Sequence, residues 1–70
     1  PESIVQSVLF EKDRFSMPRM RAWLKKHGYS QQKHHETARY IRWRQTPPPR
    51  RGTFSMRRVG NGILEVIHWS

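Results

Sequence analysis

The sequence predicts a small α+β domain: one amphipathic helix packed on a mostly antiparallel sheet, in the order β-α-β-β-β. Three observations carry this. Four short segments rich in β-branched and aromatic residues, 4–10, 37–45, 53–59 and 62–69, are separated by turn-forming residues. Between the first two, Met17, Met20, Leu24 and His27 recur at spacings of three and four. Between the last two, Gly60-Asn61-Gly62 is a hairpin signal.

The first segment alternates Val5, Ser7 and Leu9 against Ile4, Gln6, Val8 and Phe10. Apolar residues on both faces mark it as a central strand. Ser16 then fits a helix N-cap, with Met17 and Pro18 in the first turn, where a missing N–H does no harm. Trp23 adjoins the apolar stripe, and Arg19, Arg21, Lys25 and Lys26 fall mainly on the wet side. Gly28 sits at the C′ position, with Tyr29 as its C″ contact. Lys25, Lys26 and His27 suit the negative end of the helix dipole.

The polar stretch 30–36 reads as a loop. The second strand alternates Arg39, Ile41, Trp43 and Gln45 against Tyr40, Arg42 and Arg44, with Ile41 and Trp43 expected in the core. The run 46–52 must leave the sheet, because Pro47, Pro48 and Pro49 supply no N–H donors. The closing hairpin has two readings. Asn61-Gly62 as loop residues gives a type I′ turn, and Gly60-Asn61 gives type II′, with registers one residue apart. The exposed sheet face is expected to carry arginines.

Residues 1–70 make one domain. A chain this short hides only about 60% of its unfolded surface, so its core is small. It has no cysteine, which excludes disulfides, thiolate metal sites and a cysteine nucleophile. Its formal net charge is +9, from 14 Lys and Arg against 5 Asp and Glu. That balance steers a chain toward phosphate polymers or anionic membranes. The apolar fraction is 34%, below the roughly 45–50% usual for globular domains. The 3 Trp, 3 Phe and 2 Tyr argue against disorder, since large rings bury much area each. No apolar run approaches the ~18 residues of a membrane span, and no signal peptide is visible. A cytoplasmic or virion-associated location is expected. The initial Pro1 implies either a removed initiator Met or a start inside a longer protein.

From Thr37 to Arg58 the chain carries 7 arginines, no lysine and no carboxylate. Guanidinium groups interleaved with aromatic rings grip phosphates bidentately and stack on bases. The candidate nucleic-acid-binding residues are Tyr40, Arg42, Arg44, Arg50, Arg51, Arg57 and Arg58. The plainer alternatives are a wet sheet face decorated with charge and a stiff proline connector with solvated arginines. His34-His35 with His27 and His68 lack the spacing of a zinc site, so no metal or other cofactor is expected. The carboxylates Glu2, Glu11, Asp13, Glu36 and Glu65 are scattered, no serine has a Gly-x-Ser-x-Gly context, and no catalytic site is expected. An interfacial role for the basic helix is disfavoured by the flanking strands.

Four stretches, Val5 to Phe10, Trp23 to Tyr29, Tyr40 to Gln45 and Gly60 to Ile63, form a pattern spanning nearly the whole chain. They read Val-Gln-Ser-Val-Leu-Phe, Trp-Leu-Lys-x-His-Gly-Tyr, Tyr-x-Arg-aromatic-Arg-Gln and Gly-x-Gly-Ile. This pattern resembles a small uncharacterised domain scattered through tailed-phage and large-DNA-virus proteins. The resemblance implies a viral or phage origin and a compact fold, and it contributes no site. Trp43 as the middle aromatic and the arginine-rich loop depart from the pattern.

Together these readings favour a non-catalytic basic module that binds nucleic acid through an arginine and aromatic sheet face and loop. The alternative is a protein-interaction, virion-assembly or inhibitor module with an acidic protein partner, or a homo-oligomer of the chain itself.

Overall fold

The computed structural model describes residues 2–47 and 51–69. It contains one helix and a five-stranded antiparallel sheet. The elements are β1 (Ser3–Glu11), α1 (Met17–Lys26), β2 (His34–Glu36), β3 (Tyr40–Arg44), β4 (Thr53–Gly60) and β5 (Ile63–Trp69). In space the strands run β2-β3-β1-β5-β4, so the first strand is central, as its two apolar faces require.

The helix closes as its sequence dictates. Ser16 Oγ accepts from the Arg19 N–H. At the other end Tyr29 N–H donates to the Leu24 carbonyl and Gly28 N–H to that of Lys25, a Schellman motif with Gly28 at φ 78°. Tyr29 then stacks on Trp23, the hydrophobic contact that accompanies the motif. Met20 and Leu24 are fully covered and join Val8, Phe10, Ile41, Trp43 and Ile63 in the core between helix and sheet. Phe10 meets both Phe15 and Trp23 edge to face.

Three local features differ from the sequence reading. First, 34–36 form the short edge strand β2 instead of loop. All three of its residues are exposed, so no apolar pattern announces it. Main-chain pairing to β3 holds it, with a turn closed by Thr37, whose Oγ1 bonds both the N–H and the carbonyl of Tyr40. Lys12 Nζ, 2.7 Å from Glu36, adds an ion pair that lowers the carboxyl pKa by hydrogen bond and charge.

Second, the register of β1 against β5 slips between Val5 and Ser7. This bulge turns Val5 toward the helix side, where it packs on the core, and leaves Ser7 and Leu9 on the open face. Val5, Ser7 and Leu9 therefore do not share a face, and Ile4 is half exposed instead of joining Val8. Third, the β4–β5 turn is neither of the mirror types. Gly62 alone has positive φ, 83°, while Gly60 and Asn61 do not. The register also shifts between Arg58 and Gly60, and an irregularity of this kind increases the local right-handed twist of a strand. Among the described residues no helix is long and apolar enough to cross a membrane.

Candidate nucleic-acid interface

The helix covers one face of the sheet, and the registers fix what lies on the other. Directly paired residues of an antiparallel ladder share a face. One cross-strand row on the open face is therefore Arg58, Leu64, Leu9, Arg42 and His35. The next row is Met56, Val66, Ser7 and Arg44. A third holds Phe54, His68 and Ile4. Beyond the first row, Tyr40 pairs with Glu11. The β3 column is thus Tyr40, Arg42 and Arg44, as strand alternation predicts.

Arg42 is fixed by the bulge. A bulge places two successive side chains on the same side of the strand. Gln6 and Ser7 do this here: Arg42 Nη2 donates to Gln6 Oε1 at 2.6 Å and Nε to Ser7 Oγ at 3.1 Å. Both acceptors are neutral, so the guanidinium is oriented without losing its charge. Gln6 is held in turn, its Nε2 donating to the Thr46 carbonyl. Arg44 lies beside Arg42, and the two line an open cleft of about 690 Å³ with Gln32, Lys33, His34 and His35. Among the described residues, Arg42, Arg44 and Arg58 have no carboxylate partner. Glu11 is the acidic group on this face, and Arg14 engages it at 3.2 Å.

The other predicted residues separate. Arg58 shares the open face but stands three strand spacings from Arg42, about 14 Å. Arg51 is exposed beside the start of β4, and its carbonyl bonds the His68 imidazole. Arg50, with residues 48 and 49, lies outside the described residues. Arg57 points to the helix side and bonds Glu65 at 2.8 Å. Glu65 is 4% exposed and also accepts from the Tyr29 hydroxyl at 2.9 Å. Arg57 thus compensates a buried carboxylate, a role its neighbour Arg58 does not share.

The Tyr29–Glu65 contact has a pH signature. Burial, then the Glu65 hydrogen bond and charge, raise the Tyr29 phenol above its usual value near 10.0, partly offset by Arg57. A raised folded pKa means stability is complete below the unfolded value and is lost as pH rises through the folded one. Urea melts should therefore show a decline from about pH 10 upward that Tyr29→Phe removes. An unchanged alkaline decline in that variant would show that the phenol is not its source.

Sequence reasoning missed Lys33, His35, Phe54 and Met56 as members of this face. Phe54 and Met56 are 52% and 58% exposed. Their signal was present as the alternation Phe54, Met56, Arg58, but the hairpin register that assigns a face was ambiguous. Among the described residues no three His, Asp or Glu side chains gather in a way that could hold a metal ion. No protein family, curated protein or solved structure matches the chain.

Proposed function

We propose that this protein is a basic nucleic-acid-binding module whose contact surface is the open sheet face. The observation that carries the reading is the Arg42–Arg44 pair, set side by side with Lys33 over an open cleft and without carboxylate partners among the described residues. Arg42, whose Nε and Nη2 already bond Ser7 and Gln6, offers its Nη1 and its unpaired charge to a phosphate oxygen, Arg44 adds a second guanidinium, and the net charge of +9 draws a polyanion to them. Tyr40, Arg58 and Arg51 extend the surface. Arg57 is assigned to the fold through Glu65.

Fluorescence anisotropy with labelled oligonucleotides across a salt series tests this. Affinity should fall steeply with salt, since each neutralised phosphate releases counterions. Arg44→Met with Arg58→Met should flatten the log–log slope by about 1.5, at roughly 0.7–0.9 per phosphate. Lys25→Gln with Lys26→Gln removes the same charge from the exposed helix surface and should leave the slope nearly unchanged. Flat titrations at about 50 mM salt would remove the reading.

A second reading is favoured by one observation: among the described residues the outer edge of β4 has no strand partner in the sheet. An acidic protein segment or a virion-assembly partner could add a strand there. Binding that survives nuclease treatment and maps to β4 main-chain amides would support it.

A further inference from the structure

We infer that the open face takes single-stranded nucleic acid, with phosphates along the β3 cations and bases on the apolar half built by β4 and β5. The inference rests on the nucleic-acid reading and adds strandedness and a division of labour. The face is not uniformly basic. Its β3 side carries Arg42 and Arg44 with Lys33 beside them, and its β4 side carries Phe54 and Met56, both more than half exposed, with Arg58 as the one cation of that column at its hairpin end. Between the two columns Leu9, Leu64 and Val66 form an apolar floor.

The Phe54 ring is held in place. It leans on the His68 ring with centroids 5.2 Å apart, and His68 is 6% exposed and tethered to the Arg51 carbonyl. A fixed, half-exposed ring on the same face as the cationic column, three strand spacings or about 14 Å across the sheet from it, offers an unpaired base a stacking platform. A duplex keeps its bases inside and offers phosphates and grooves. It would satisfy the β3 arginines and leave Phe54 and Met56 against charged backbone or water. A second copy of this chain is disfavoured by charge, because two-fold apposition would press two faces that both carry Arg42, Arg44 and Arg58 together at +9 per chain.

The test compares a labelled oligonucleotide of about 12 nucleotides with its blunt duplex, using the intact protein, Phe54→Ala and Phe54→Tyr. Sedimentation of each protein accompanies the titrations. The expected result is single strands bound at least ~10-fold more tightly than duplex. Phe54→Ala should lose about 10-fold on single strands and nothing on duplex, and Phe54→Tyr should recover most of the loss because it keeps a ring. Circular dichroism verifies that each variant is folded. Equal affinity for both forms, indifferent to Phe54, overturns strandedness and leaves the nucleic-acid reading standing. No binding of either form overturns both. A dimer that Phe54→Ala dissociates assigns the face to a second copy and overturns the inference.

Discussion

Trp43→Ala is expected to unfold this protein at room temperature. Trp43 is the largest fully buried side chain and sits on β3, paired with Val8 of the central strand and facing the helix. Arg21 lies over its ring at 5.0 Å and His34 leans on it at 4.7 Å. Truncating a buried Trp costs about 3–5 kcal/mol. A single core below about 70–80 residues rarely supplies more than that in total. The far-ultraviolet dichroism of Trp43→Ala should resemble that of the denatured chain, with no cooperative urea transition. Trp43→Phe is the informative companion. The indole Nε1 has no hydrogen-bond partner among the described residues, so a phenyl ring gives up volume and no polar contact. It should stay folded with a lowered midpoint. A cooperative melt of Trp43→Ala within about 1 kcal/mol of the parent would refute this account of the core.

Gly52→Ala is the second large effect. Gly52 has φ 113°, a conformation that side-chain-bearing residues rarely adopt. A Cβ there would overlap the His68 imidazole and the Trp69 carbonyl oxygen. Backbone strain of about 1–3 kcal/mol and overpacking of similar size act together. The expected loss is about 2–5 kcal/mol, a fall in Tm of more than ~10 °C for a domain of this size. Part of the overlap is relieved if the 51–52 segment lifts away from His68. Amide exchange at Gly52 and Thr53 should then rise ahead of the β5 amides. A Tm within about 2 °C of the parent would show that the segment does not seat Gly52 against β5.

The order of elements was readable because each local signal agreed with its neighbours. Ser16, Gly28 and Tyr29 bracket the helix with cap chemistry that acts within a few residues. The two apolar faces of β1 announced a central position for the same reason. What stayed hidden depends on non-local pairing. His34–Glu36 carry no strand pattern, and β3 alone makes them a strand. The bulge at Gln6 has no signature in the sequence, yet it decides which side chains orient Arg42. Arg57 and Arg58 look equivalent as a dipeptide. Strand alternation sends one to Glu65 and the other to the open face, and only the settled hairpin register says which. The β3 half of the candidate surface was therefore legible, and its β4 half was not.

The placement of β1 bears on how the chain is made. β1 is made before both of its neighbours, β3 and β5, and among the described residues β4 pairs in the sheet with β5 alone. β4 therefore cannot pair into the sheet until β5, which follows it in the chain, has left the ribosome. A nascent chain that has reached β4 thus presents Phe54 and Met56 on a strand with no scaffold, at the moment when aggregation competes most. Arg57 and Arg58 follow them directly, and charge on an unpaired strand disfavours edge-to-edge association.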